Sequence, residues 1–182
     1  MFTEYQIRAA MLAVLTQALS ETGVTGYKVM ARNPQVIAGG DKIVLLDRLH
    51  TRRCGFQGRD YIEIAPGEAF REREKWIDEI YWQVSVIRKR LVNDTKQTET
   101  GDDVAKKLVW WLNSGRGAEQ MRGRTDVPMA PVYCKESRMR PYSDNGDIHQ
   151  YESLFDVRTQ VLQVGLFPVD EIKAVEAETY PI

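Results

Sequence analysis

Between residues 76 and 89 the side chains alternate. Ile80, Trp82, Val84 and Val86 fall on one side of an extended chain, and Tyr81, Gln83 and Ser85 on the other. A period of two sustained this long is a long β-strand with one buried and one partly wetted face. The N-terminal segment reads as an amphipathic helix. Thr3 with Gln6 makes a capping box and Gly23 a stop, and between them Ile7, Met11, Val14, Leu15 and Ala18 recur at helical spacing, with Leu12 and Leu19 flanking. On the opposite side Ala9 and Ala13 are small enough to admit a second element.

The remaining elements follow from turn chemistry and periodicity. Tyr27–Arg32 and Lys42–Leu49 read as short strands separated by Asn33-Pro34 and Gly39-Gly40-Asp41, and Tyr61–Ile64 as another, closed by Pro66-Gly67. Arg71-Glu72-Arg73-Glu74-Lys75 reads as a solvated, self-paired approach to the long strand. Leu91–Gly101 is a polar loop. Asp102 or Asp103 is expected to cap a second helix, with Val104, Leu108, Trp111 and Leu112 on its apolar face and Asn113-Ser114-Gly115 as its end. Gly117–Arg124 reads as a helical turn, with Pro128 and Pro131 marking the exit. Val132–Pro141 and Tyr151–Phe167 are strands about Asp144-Asn145-Gly146-Asp147, because Asn-Gly between strand patterns favours a hairpin. Phe155, Val157 and Val161 keep one phase and Leu162, Val164 and Leu166 take the other, which predicts a bulge or burial on both faces. Ile172–Tyr180 reads as a last strand. The expected architecture is a single α+β domain over residues 1–182: a largely antiparallel sheet flanked by two main helices.

Charge and cysteine content narrow the function classes. Lysine and arginine number 25 against 26 acidic residues, a net charge of -1, so no global basic field draws nucleic acid or anionic lipid. Two cysteines in 182 residues make no disulfide framework. The apolar run Ala9–Leu15 has Glu4 before it and Thr16-Gln17 after it, unlike a signal peptide, and no apolar run approaches the ~20 residues of a membrane span. The expectation is a soluble intracellular product with no membrane role.

Chemical motifs are sparse. His50, Cys54, Cys134 and His149 supply the count of a zinc site, but without the close Cys–Cys and His–His pairs that mark one. Glu72, Glu74, Asp78 and Glu79 could supply a carboxylate pair, yet each has Arg or Lys within three residues. Asp144–Glu152 has calcium-loop residue types with Gly146 at the wrong position. No nucleophile elbow, phosphate loop or dinucleotide fingerprint occurs, and Gly115-Arg116-Gly117 follows a helix. The reading is therefore no catalytic residue, no cofactor and no metal. Arginines cluster at Arg48, Arg52, Arg53 and Arg59, at Arg116–Arg124 and at Arg138–Arg140, and could contact phosphates.

Trp110 breaks its helical pattern. Trp111 joins the apolar face while Trp110 falls beside Lys106 and Lys107. Either Gly117–Arg124 covers it, or a partner does, since large aromatics are enriched at interfaces. Trp110, Lys106 and Lys107, with Arg71, Glu72, Arg73 and Glu74 of the charged run, form the candidate interface.

The order of elements resembles that of the phage neck, or tail-terminator (tail-completion), family. The matching pieces are helix Thr3–Thr22, strand Asp41–Leu49, the long strand Ile77–Ile87, helix Asp103–Asn113, and the hairpin strand opening Tyr151-Glu152-Ser153-Leu154-Phe155-Asp156-Val157-Arg158. The stretch Gly55–Phe70 departs from shorter members. The resemblance implies a structural virion protein, not an enzyme. It would form a homohexameric ring at the neck that caps the tail tube, stops its polymerisation and meets the head connector or head-completion protein, with DNA passing through the lumen without specific binding. Such a protein would assemble in the host cytoplasm. A head-completion adaptor, a small intracellular enzyme and a nucleic-acid-binding accessory protein remain the alternatives.

Overall fold

Helices cover one face of a six-stranded mixed sheet in the computed structural model, which describes residues 1–32, 42–63, 70–88, 99–143 and 149–168. In chain order the elements are α1 (Glu4–Glu21), β1 (Lys28–Ala31), β2 (Lys42–Glu63), β3 (Phe70–Arg88), α2 (Gly101–Leu112), α3 (Gly115–Arg122), β4 (Ala130–Cys134), β5 (Arg138–Ser143) and β6 (His149–Pro168). The sheet runs β1-β2-β3-β6-β4, with β5 also paired to β6. Among the described strand pairs only β1–β2 is parallel. The largely antiparallel α+β expectation matches. Among the described residues three helices are present, so the expectation of two main helices is roughly met, and buried residues of all three belong to the same core cluster on one side of the sheet.

Helix α1 starts as its sequence dictates. The Thr3 hydroxyl accepts from the Gln6 amide and the Gln6 side chain accepts from the Thr3 amide, while Gly23 leaves the helix at φ 71°. Ile7, Met11, Val14, Leu15 and Ala18 are buried against Val44, Leu46, Ile80, Trp82, Val84, Val86, Phe155, Val157 and Val161. Ala9 and Ala13 are exposed, so among the described residues no second element packs on that side. Helix α2 is capped by Thr100 rather than by Asp102 or Asp103. The Thr100 hydroxyl takes the Asp103 amide and Asp103 closes the box from the third helical position.

The strands are longer than local patterns suggest. Lys42–Leu49 and Tyr61 belong to one strand, β2, carried through the polar segment by register shifts at Arg48/His50 and Cys54/Gly58. Arg71–Lys75 lies inside β3, not before it. Val132–Pro141 is two strands, β4 and β5, interrupted at residues 135–137. Strands β3 and β6 pair without a slip from Arg71 opposite Pro168 to Arg88 opposite Tyr151, so the phase change at Leu162 is no bulge against β3. Val161 and Gln163 turn inward, and Leu162 and Leu166 stand exposed on the other face. The expected turns at 33–41, 66–67 and 144–147, the loop at 91–98 and the strand at 172–180 lie outside the described residues, as does Ile64.

A strand the length of β3 spans roughly 60 Å, whereas the 18 residues of α1 span about 27 Å. The Phe2 amide donates to Gln163 Oε1 (2.8 Å), which fixes where the helix begins over the sheet. Past that row three strands continue as an arm built from residues 58–63, 70–75 and 164–168. At the other end, Arg32 reaches from the end of β1 to Glu152 of β6 (2.9 Å) across the sheet face that the helices leave uncovered, where Ile43, Ser85, Ile87 and Leu154 are buried.

Candidate functional site

Helix α2 turns Val104, Ala105, Leu108, Trp111 and Leu112 into the core, and the same geometry leaves Trp110 outward at 70% exposure. It stands in a cleft of about 390 Å³ lined by Lys106, Val109, Trp110, Glu136 and Ser137. The last two lie in the connection between β4 and β5. One carboxylate ties helix to connection: Asp102 accepts from Lys106 Nζ (2.6 Å) and from Ser137 Oγ (3.0 Å). Lys107 is held by Glu99 (2.6 Å). Residues 117–124 do not cover the indole. Met121 of α3 joins the core instead, and a Cβ on Gly117 would stand 2.2 Å from the Trp111 carbonyl oxygen, so only glycine lets α3 pack so close.

The edge strand beside this cleft is closed to strand addition. Pro131 and Pro141 remove donors, β4 shifts register between Pro131 and Tyr133, and the Asn113 side chain occupies the Cys134 backbone. A partner here must bind through side chains.

The charged run sits on the arm, and its members alternate between faces. On the helix side Arg59 pairs with Glu72 (3.3 Å) and Glu74 (3.1 Å), near exposed Tyr61 and Phe167. On the opposite side Arg73 grips Asp60 through Nε and Nη2, and Lys75 joins at 3.3 Å. Those contacts, Arg73 foremost, pull the Asp60 carboxyl from 3.8 to about 2. Arg71 is exposed, and among the described residues it has no ion pair. Cross-strand pairing thus spends every described cation of the arm but one.

A third constellation was not legible in the sequence. On the uncovered face Glu79, only 8% exposed, accepts from Tyr81 Oη and Arg158 Nη1 (3.2 Å), with Gln160 Nε2 at 3.5 Å and Cys54 Sγ at 3.8 Å. Tyr81 foremost holds the Glu79 carboxyl below its ordinary value. His50 stacks on Tyr81 with centroids 4.0 Å apart. Strand pairing brings these groups together, and only the Glu79/Tyr81 spacing of two hints at it. Each described oxygen of Glu79 is engaged by the chain itself, so the network suits locking three strands better than accepting a proton.

The residues weighed for zinc do not converge. His50 and Cys54 share a face but lie four residues apart along a strand, ~13 Å. Cys134 is buried on the helix side, where burial pushes its thiol up to about 12. The side chain of His149 lies outside the described set. Among the described residues no group of three His, Cys, Asp or Glu side chains could hold a metal ion, and no helix is long and apolar enough to cross a membrane. The arginines at 48–59 are split too. Arg48 pairs with Glu4 (3.0 Å), Arg53 lies over the Trp76 ring (4.6 Å), Arg59 serves the arm, and Arg52 is exposed on the other face.

No protein-family model matches this chain, and no curated protein matches it.

Proposed function

We propose that the chain is a structural assembly subunit, a ring-forming tail terminator of the phage neck that caps the tail tube and joins it to the head connector. The observation that carries this is the exposed Trp110 indole in a cleft with fixed walls. Leaving such a side chain in water forgoes on the order of 2–3 kcal/mol of burial, and large aromatics at a surface are concentrated where partners dock. The arm adds a second, distant surface with exposed Tyr61, Leu166 and Phe167. Two separated surfaces are what a ring of identical subunits requires.

Against the enzyme alternative, the Glu79 network is closed on itself and Cys134 is buried under the sheet. Against the nucleic-acid alternative, the arginines at 48–59 are divided between two faces and mostly paired. In the proposed setting DNA passes the ring without specific contacts, and the reading involves no cofactor or metal.

The test is light scattering and negative-stain imaging of the purified chain, alone and with tail tube protein. The expected result is a six-fold ring that binds tube ends and halts their growth. Binding to the head connector alone would favour the head-completion adaptor. A monomer that neither self-associates nor binds tube refutes the proposal.

A further inference from the structure

We infer that the Trp110 cleft receives the arm of a second copy of this chain, with Arg71 of one copy laid on the Trp110 indole of the next and paired to its Glu136. The inference rests on the self-assembly reading above and specifies which surfaces meet.

The cleft is built to take a cation. Its own lysine is neutralised by Asp102, and Lys107 beside it by Glu99. Glu136 is exposed, and among the described residues it has no ion pair. An open indole face next to an unpaired carboxylate is a receptor for a guanidinium, which stacks on the ring while its N–H groups reach the carboxylate. Because Ser137 and Lys106 share Asp102, the cleft needs little rearrangement to be filled.

The arm carries the complementary group. Arg59, Arg73 and Lys75 are each held by carboxylates of the arm, which leaves Arg71 as its uncommitted cation among the described residues. On the face of Arg71 the arm offers Leu166 at 47% exposure, apolar area that an indole and Val109 could cover, while Tyr61 and Phe167 stand on the other face of the arm. The arm also lies past the start of α1, free of the helical layer that would obstruct its approach.

The two surfaces cannot meet within one copy. Glu136 and Ser137 lie beside β6 near Asp156 and Leu154, whereas Arg71 is opposite Pro168, ~40 Å further along the same strand. Complementary patches at opposite ends of one subunit make a head-to-tail contact, which closes into a ring when the rotation permits.

The experiment measures self-association of the full chain by light scattering for wild type, Arg71→Glu, Glu136→Arg and the double variant. Both residues are exposed, so melting curves should be unchanged and serve as the folding control. Each single variant should weaken association about tenfold or more, and the double should recover most of the loss by restoring the pair with its signs exchanged. If wild type assembles and the single variants assemble equally well, the arm-to-cleft contact is wrong while self-assembly stands. If Glu136→Arg fails and Arg71→Glu does not, the cation comes from elsewhere and the inference is overturned. A wild type that stays monomeric at every concentration removes both readings.

Discussion

The side chain of Asn113 pairs with the backbone of Cys134 as a neighbouring strand would: Nδ2 donates to the Cys134 carbonyl (3.0 Å) and Oδ1 accepts from the Cys134 amide (3.1 Å). The residue that ends α2 thereby also finishes the edge of β4. One amide satisfies two backbone groups that the sheet leaves unpaired.

Asn113→Ala should therefore cost about 1–3 kcal/mol, since it orphans a donor and an acceptor together. At about 2–4 °C per kcal/mol for a chain of this size, the melting point should fall by roughly 2–12 °C. Hydrogen exchange at the Cys134 amide should accelerate in the same variant. Unchanged protection there would show that the amide has another partner.

The adjacent tryptophans should respond in opposite ways. Trp111 is 2% exposed and its indole N–H donates to Glu21 (3.0 Å), so Trp111→Ala should cost roughly 3–5 kcal/mol. Trp110→Ala should leave the isolated subunit within a few degrees of wild type yet impair assembly. A monomer strongly destabilised by Trp110→Ala would mean that the indole packs within its own chain, against its 70% exposure.

Acid should weaken the junction of α1 with α2 and α3. Glu21 accepts from Trp111 Nε1, Gln17 and Arg116, which together pull its carboxyl from 4.5 down to about 2. The folded value lies below the unfolded one. Its stabilisation is therefore fully present above about pH 4.5 and is lost as pH falls toward 2. Urea midpoints of wild type and Glu21→Gln should differ at pH 6 and converge between those limits. A gap that is constant with pH would assign the stabilisation to packing alone.

Arg32 and Glu152 should behave as a coupled pair. The Glu152 side chain is 3% exposed, so Arg32→Met would strand a buried carboxylate at a cost of roughly 3 kcal/mol. Replacing both residues with Met should cost less than that single change. A double-mutant cycle on denaturation free energies measures the coupling, and strictly additive losses would exclude it.

These sites also show where sequence reasoning reached and where it stopped. The capping box of Thr3 and Gln6, the buried stripe of α1 and the alternation through Ile80–Val86 are local, and each appears in the structure as read. Trp110 was identified because helix geometry alone decides which way it points. Glu136 and Ser137 were not, because they reach the indole only through the pairing of β4 and β5 with β6. The Glu79–Tyr81–Arg158 network was missed for the same reason. Its members are neighbours through the register of β3 with β6, which pairs residues about 80 positions apart and which neither strand's own pattern announces. The segment between Leu49 and Tyr61 carries arginines without an apolar alternation, so its strand character within β2 is not legible locally.

The place of β6 has a consequence for synthesis. It is the sixth of the described strands to be made, yet it lies between β3 and the β4–β5 edge, and Phe2 finds its hydrogen-bond partner 161 residues later at Gln163. A growing chain can form α1 and the β2–β3 hairpin from local contacts, but the long flank of β3 stays bare until β6 leaves the ribosome. Topology of such high contact order folds slowly, and neighbouring chains on one message would present many bare flanks at once. Exchange of β6 between nascent copies is the error this arrangement should favour, and dilute refolding of the finished chain should avoid it.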